Sequence, residues 1–367
     1  MNEAQQEMQN SGSVSEILSS SIQKEMQENR VTSAELGALW NAYIHESYVH
    51  HLFIYFLRHM EDPIIKPVLI NLVDATKDSL HLLKSVFIKE GIPIPKGITS
   101  EDINPNAPRL FSDNLFIPLL RAMTKVALQF FSIAYTECLR DDMRQFFRDF
   151  ADRLFMHDQQ AAELMQAKGI PVPPPYIPIP KKIDFVKKQN FLAGFFKDKR
   201  PLTTLEINSL FFNAQSNALG KALLLGYSQI AKSTEIRQFL KRGKNLSQKY
   251  FDNLTGILLE EDITVPPSYD GEVTASTESP FSDKFILFHG NYMVTIGMQN
   301  YGMAISMSPR HDLAAMYASM MVEVSSYASD GVKLMIKNEW MEQPPLAPDR
   351  DALVRQGNKS PYGDHFN

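Results

Sequence analysis

The feature that most constrains this chain is a layout that occurs twice. A repeat of about 170 residues has the size of a whole domain and is too long for a solenoid unit. The offset is 172 at the first matching string and 170 at the other two. The sequence therefore predicts two tandem copies of one domain. The matching strings are Trp40-Asn41-Ala42 with Phe212-Asn213-Ala214, Phe111-Ser112-Asp113 with Phe281-Ser282-Asp283, and Leu164-Met165 with Leu334-Met335.

Composition excludes several classes of function. The 367 residues are 44% hydrophobic and 22% charged, which is typical of a soluble globular protein. The net charge of −5, with both signs interspersed, predicts no nucleic-acid partner. A single cysteine, Cys138, excludes an intrachain disulfide and fits a reducing compartment. With no membrane-spanning apolar run and no secretory signal, we expect a cytoplasmic protein without a membrane partner.

Capping signals and proline-rich stretches divide the chain. The strings Thr32-Ser33-Ala34-Glu35 and Thr203-Thr204-Leu205-Glu206 are capping boxes, each of which begins a helix. Apolar stripes at helical spacing then predict four long helices in each copy. The predicted segments are a disordered leader (1–30), a first four-helix bundle (31–170), a linker (171–202), a second four-helix bundle (203–343) and a C-terminal tail (344–367).

The lengths of the connections indicate the topology. In each copy the first and third joints are short, whereas about twenty residues rich in Pro and Gly separate the second and third helices. Twenty extended residues reach about 66 Å, and a helix of 27 residues spans about 40 Å. The long connection can thus cross the full bundle, as in the ferritin-like arrangement. A simple up-and-down bundle with an irregular loop is the alternative.

The segment between the copies has a distinct composition. Proline occupies six of the ten positions in 171–180, which predicts an extended, semi-rigid spacer. Aromatic residues and lysines then alternate up to residue 200. We expect the linker to dock its aromatic side chains on one or both bundles. An interfacial membrane anchor at Phe191 to Phe196 is the alternative.

Several longer strings resemble an uncharacterised family of endospore-forming Gram-positive bacteria, named domain of unknown function 3231. The resemblance extends from about residue 32 to 353. It implies a tandem pair of ferritin-like bundles in a cytoplasmic or spore-associated protein, and it implies no established activity. The strings are Glu61-Asp62-Pro63 with Ile65-Lys66-Pro67, NAPRLFSD (106–113), PPYIPIP to FVKKQNFLAGFF (174–196), FFNAQSNALGKALLLGYSQIAKS (211–233), FSDK (281–284) and IKNEWMEQPPLAPDRDAL (336–353).

The ligand set of a ferritin-like di-iron site is incomplete in the first copy. Such a site takes an inward Glu from each of two helices and an inward Glu-x-x-His from each of the other two. Asp78-Ser79-Leu80-His81 resembles that motif, but its spacing puts Asp78 and His81 on a polar stripe that should face water. The fourth helix has no Glu-x-x-His. We therefore predict no cofactor.

A smaller group does lie on the inward stripes. Glu46 and His50 share a face of the first helix, and His157 lies on the apolar stripe of the fourth. One interpretation is a hydrogen-bonded Glu–His layer that fixes helix register, because a buried carboxylate needs a partner. The other is a remnant pocket for Fe, Mn, Zn or a small ligand. The second-copy positions that we align with these three are Ala218, Ala222 and Tyr327, which cannot reproduce the group.

The second copy has a different peculiarity on its third helix. Glycine inside a helix costs about 1 kcal/mol relative to alanine, so it usually permits a close approach. We interpret these positions as close helix packing, or as a face that receives another domain, a second chain or an apolar ligand. Asn213, Asn217 and Asn253 are predicted to form a neutral polar layer there. The third-helix residues are Gly290, Gly297 and Gly302, interleaved with Met293, Met298, Met303 and Met307.

Two functions follow as hypotheses. The first is a non-enzymatic helical interaction or scaffold protein built on degenerate ferritin-like bundles, whose partner is another protein or a second copy. The second is a metal- or small-ligand-binding protein, at most a weak oxidoreductase, that uses only the first bundle. No phosphate-binding glycine loop, Walker lysine loop or nucleophile elbow indicates any other chemistry.

Overall fold

The computed structural model of the protein describes residues 31–170, 174–195 and 199–357, so the predicted leader 1–30 lies outside the described residues. Within these ranges the regular structure is helical, and the only β-pairing is two isolated bridges. The all-α class is therefore confirmed. The long helices are α1 (Ser33–His59), α2 (Ile65–Lys89), α3 (Asp113–Glu137), α4 (Asp141–Ala167), α5 (Thr204–Ile230), α6 (Thr234–Leu259), α7 (Asp283–Met307) and α8 (His311–Lys337), followed by the short α9 (Arg350–Gly357).

Helices α1–α4 form the first repeat and α5–α8 form the second. Thr32 and Glu35 make the capping box of α1, and Thr203 and Glu206 make that of α5, as the sequence predicts. In each repeat, short joints connect the first helix to the second and the third to the fourth. A long crossover connects the second helix to the third, at 90–112 and 260–282.

The register between the two first helices differs from the one read off the matching strings. The capping threonines Thr32 and Thr203 are 171 residues apart, not 172, and the buried positions of α1 and α5 agree with an offset of 171. The same offset aligns the buried positions of α2 and α6. Glu46 therefore corresponds to Asn217 and not to Ala218, and His50 corresponds to Lys221 and not to Ala222. His157 does correspond to Tyr327, because α4 and α8 are offset by 170.

The two crossovers pair with each other. The Asn104 N–H donates to the Pro280 carbonyl at 2.8 Å, and the Thr274 N–H donates to the Leu110 carbonyl at 2.9 Å. These two bonds are equivalent. Thr274 lies 170 residues after Asn104, and Pro280 lies 170 residues after Leu110, so each repeat donates the same bond to the other. Such reciprocal pairing is the signature of a two-fold interface between like units. Two more bonds obey the same rule: Ser112 N–H to the Glu272 carbonyl (2.9 Å) and Ser282 N–H to the Asp102 carbonyl (2.8 Å).

The cores follow this arrangement. Each repeat has its own apolar cluster near its capped end. A third cluster takes buried residues from both repeats and includes Phe111 and Phe281, which belong to the two crossovers. Phe281 stacks on Phe285 at 4.4 Å and tilts against Tyr55 of the first repeat at 4.6 Å between ring centroids. The crossovers and this shared core hold the two repeats together.

The linker and the tail differ from expectation. The first half of the linker does not dock on either repeat, since Tyr176 and Ile179 are each 90% exposed and Phe185 is 80% exposed. Its proline-rich backbone stays extended and finds no apolar surface. The predicted tail begins as an exposed segment without regular structure and then forms α9. Among the described residues, α3 is long and apolar enough to cross a membrane, and more than half of that stretch is buried as a core helix.

Candidate functional site

The middle of the first repeat contains a small cavity of about 40 Å³. Glu46 from α1 and His157 from α4 both line it, as the inward stripes predict. Burial lowers the pKa of His157, and the nearby Glu46 carboxylate and a contact with Gln160 oppose this shift. The Nδ1 atom of His45 lies 3.9 Å from Glu46 Oε1. The structure therefore brings two of the three predicted residues together and adds His45, which the apolar stripe did not identify.

His50 is not part of this group. Its Nδ1 lies 2.9 Å from the Thr76 hydroxyl on α2, and it does not line the cavity. Burial lowers the pKa of His50 to about 4, with a further contribution from the neighbouring His51. The helical spacing that put His50 beside Glu46 is correct, but one turn of α1 carries its ring towards α2 and away from α4. Its role is to join two helices.

No group of three or more His, Cys, Asp and Glu side chains that could hold a metal ion occurs in the part of the chain that the structure describes. Asp78 and His81 of the di-iron-like motif are exposed on α2, as their polar stripe predicts. Cys138 is buried, and burial raises the pKa of its thiol to about 11, which keeps it protonated and a poor nucleophile. A ligand role for Glu46, His50 and His157 stays a prediction.

The second repeat has a cavity at the equivalent place, and it is larger, at about 110 Å³. Most residues that line the first cavity have their counterparts around the second when the helices are aligned at the offsets given above. Four of these counterparts are glycines. The pairs are Val49 with Gly220, Leu72 with Gly243, Leu120 with Gly290, and Ala127 with Gly297.

The polar layer of the second repeat is neutral. Asn217, the counterpart of Glu46, donates from its side-chain amide to the Tyr301 hydroxyl at 2.9 Å, and that hydroxyl donates back at 3.1 Å. Asn213 is also buried and donates to the Ser209 carbonyl at 2.8 Å. The predicted third member, Asn253, is exposed on α6 and does not take part. The sequence thus identified two of the amides and missed the tyrosine that pairs with one of them.

A buried aromatic cluster lies between the repeats. Tyr48 of α1 is fully buried, and its ring lies 4.8 Å from that of His289 on α7. His289 Nδ1 lies 2.6 Å from the Tyr227 hydroxyl. Burial lowers the pKa of His289 to about 3, which keeps the ring neutral. The apolar periodicity within one repeat could not predict this cluster, because its residues come together only where the two repeats meet.

The fold and cavities define an all-α protein of two tandem repeats that share one architecture. The chain belongs to the family described as "Protein of unknown function (DUF3231)", whose profile matches residues 20–183 and again residues 190–353. A crystal structure of a candidate spore coat protein from Bacillus halodurans shares 18% identity. That likeness covers 41% of this chain and 98% of the other, with a TM-score of 0.37, and carries no argument about function. No curated protein matches.

Proposed function

We propose that this chain is a non-enzymatic interaction protein in which two ferritin-like four-helix bundles form a rigid body that presents the linker. The observation that carries the proposal is the exposure of apolar side chains on that linker. Contiguous apolar groups on a soluble protein mark surfaces that bind something. The exposed side chains are Tyr176 (90%), Ile179 (90%), Ile183 (86%), Phe185 (80%), Val186 (63%) and Phe195 (63%).

The second half of the linker is fixed to the second repeat. The Arg200 guanidinium lies 3.9 Å from the centroid of the Phe191 ring, and its Nε donates to the Phe191 carbonyl at 2.8 Å. Arg200 also makes two bonds of 2.7 and 2.8 Å to the Glu206 carboxylate, which caps α5. The exposed half therefore projects from an anchored base, and its proline content limits the entropy lost on binding.

Charge indicates the kind of surface that the linker would meet. Lys181, Lys182, Lys187 and Lys188 lie between its apolar residues, with Asp184 the one acidic residue of 174–190. The whole chain carries −5, so the rest of the molecule is acidic. A basic apolar segment and an acidic body on one chain are complementary between copies. The proposed partner is a second copy of this chain, joined head to tail, and a repeated contact of this type builds open assemblies.

The experiment is sedimentation of the purified full chain over a range of protein and salt concentrations. We expect association that increases with protein concentration and weakens with added salt, since the linker charges are screened. The triple variant Ile179→Ser, Ile183→Ser, Phe185→Ser should stay monomeric. The matched control is Ile88→Ser with Val322→Ser, which removes side chains 71% and 74% exposed elsewhere and should associate like the unchanged protein.

Two outcomes would overturn self-association. One is a monomer at every concentration, and the other is equal association of the linker variant and the control. Binding of the unchanged chain to anionic phospholipid vesicles, lost in the linker variant, would instead support the membrane-anchor alternative.

The first-repeat cavity supports a second candidate, a ligand site at Glu46 and His157. The favouring observation is that a carboxylate and an imidazole line the same small cavity. Elemental analysis of protein purified without a tag tests it. Stoichiometric Fe, Mn or Zn that is lost in His157→Ala would support the site, and metal-free protein would eliminate its metal-binding form.

A further inference from the structure

We infer that the cavity of the second repeat is a binding site for a small, uncharged, apolar molecule of about the size of benzene. The cavity lies between α5, α6, α7 and α8, and residues of α3 in the first repeat close one side. It holds about 110 Å³, against about 40 Å³ for the equivalent cavity of the first repeat. This site is separate from the linker and goes beyond the proposed interaction function.

The extra volume comes from missing side chains. Gly220, Gly290 and Gly297 stand where the first repeat has Val49, Leu120 and Ala127. A methyl group built on Gly220 would have its nearest neighbour at 3.7 Å, one on Gly290 at 3.6 Å and one on Gly297 at 3.8 Å. These are ordinary contact distances, so neighbouring atoms do not require glycine at any of the three positions.

Glycine in the middle of a helix lowers stability, and closer packing of neighbouring atoms does not compensate for that loss at these three positions. Replacing alanine by glycine inside a helix costs about 1 kcal/mol, and an unfilled apolar cavity costs more. Where close packing explains a glycine in a helix, an added methyl group would overlap a neighbouring atom. Gly243 is such a case, since a methyl group there would overlap the Tyr327 hydroxyl. At Gly220, Gly290 and Gly297 no neighbouring atom is that close, so we interpret the three glycines as keeping the cavity open.

The lining determines the charge of the occupant. No Asp, Glu, Lys or Arg side chain lines the cavity among the described residues, whereas the first-repeat cavity has Glu46 and Arg153. The one titratable imidazole, His289, is neutral at physiological pH. An ion placed here would lose its hydration without gaining a counter-charge. The occupant is therefore uncharged.

Several polar groups of the lining already have partners. Asn217 and Tyr301 bond each other, and the Tyr327 hydroxyl donates to the Phe239 carbonyl at 3.1 Å. The Tyr250 hydroxyl donates to the Glu323 carboxylate at 2.9 Å. Among the described lining residues, the buried Asn213 Oδ1 has no hydrogen-bond partner, and the surface that remains exposed to the cavity is mostly aliphatic and aromatic. Dry engineered cavities of about 150 Å³ bind benzene, so about 110 Å³ fits a molecule of that size or slightly smaller.

The test is calorimetric titration of the full chain with benzene, and with benzoate as the charged molecule of similar shape. We expect saturable benzene binding and no benzoate binding. Gly290→Leu, which restores the residue of the first repeat, should abolish benzene binding. Gly297→Ala, which also restores the first-repeat residue, should weaken it about tenfold.

Gly302→Ala is the matched control. Gly302 lies on the same helix, α7, and does not line the cavity, and a methyl group added to it would have no neighbouring atom within 4 Å. The variant should gain the same helix propensity while benzene affinity stays within about twofold. Should Gly290→Leu fail to fold, Gly297→Ala against Gly302→Ala decides the question.

The inference is overturned by absence of saturable benzene binding, by equal binding of benzoate, or by equal loss in Gly297→Ala and Gly302→Ala. These variants leave residues 174–195 unchanged, so the result does not depend on whether the linker mediates association.

Discussion

The two repeats agree at their capped ends and differ in their middles. At the ends, an arginine before the fourth helix bonds a carboxylate that follows the second helix: Arg140 with Glu90 at 2.8 Å, and Arg310 with Glu261 at 3.2 Å. In the middle of the first repeat Glu46 and His157 line the cavity, whereas Asn217 and four glycines line the equivalent cavity of the second repeat. The ends determine how the helices begin and join, which both repeats need. The middle has room to differ without changing the fold.

The largest effect on stability is expected when the arginine at the capped end of a repeat is removed. The side chain of Arg310 is 2% exposed and that of Arg140 is 10% exposed. Arg310→Ala removes the guanidinium that bonds Glu261 and Asp312 and should cost about 3–5 kcal/mol of unfolding free energy. Arg140→Ala should cost less, because Arg140 is more exposed than Arg310 and Asp142, one of its carboxylate partners, is 47% exposed and stays hydrated. Urea unfolding of both variants checks this, and equal costs would contradict the difference in burial.

A smaller effect is expected where the repeats touch. A methyl group on Gly226 of α5 would lie 2.6 Å from the Phe111 ring of the first crossover. In the first repeat, Tyr55 occupies the position that corresponds to Gly226, and its hydroxyl accepts a hydrogen bond from the Leu110 N–H at 2.9 Å. Gly226→Ala should therefore destabilise the protein by about 1–3 kcal/mol through overpacking. The control Gly37→Ala, on α1 with no atom within 4 Å, should be neutral or stabilising. Thermal unfolding distinguishes the two.

The smallest effect concerns pH. His289 of the second repeat has a pKa of about 3, far below the usual value of about 6.5. Below pH 6.5 the unfolded chain therefore binds a proton that the folded chain does not, so stability is complete above 6.5 and falls as pH falls towards 3. The slope for one buried group is about 1.4 kcal/mol per pH unit.

His50 in the first repeat has a pKa of about 4, so its contribution matches that of His289 above pH 5 and becomes smaller below pH 5. Between pH 5 and 3 the free energy of unfolding should be less pH-dependent in His289→Gln than in His50→Gln, because folded His50 takes up its proton near pH 4 whereas folded His289 does so only near pH 3. Equal slopes would mean that the two histidines differ less in burial than their positions indicate.

The sequence predicted the helices well and the differences between repeats poorly, for one physical reason. Capping boxes and apolar stripes are local, so Thr32 with Glu35 and Thr203 with Glu206 located both first helices. Register across 171 residues is not local. The string around Asn41 and Asn213 matched by chance one position out of step, whereas the capping boxes carried the correct offset.

The candidate site was predictable only in part. Helical spacing correctly placed Glu46 and His157 on inward faces, but it could not give the rotation that sends His50 towards Thr76. Residues that meet across the repeats, such as Tyr48 and His289, have no periodic signal at all. The whole linker was expected to bury its aromatic residues because apolar side chains usually do so, but its proline-rich first half stays extended and exposed while Phe191 in the second half contacts Arg200.

The paired crossovers also impose an order on synthesis. Asn104 and Leu110 leave the ribosome long before Thr274 and Pro280, which complete their backbone hydrogen bonds. Until the second repeat is made, the first crossover is an unpaired edge beside a half-built core, the kind of surface that chaperones cover and that aggregation exploits. Slow translation of residues 200–280 should therefore lower the yield of soluble protein more than slow translation of the tail.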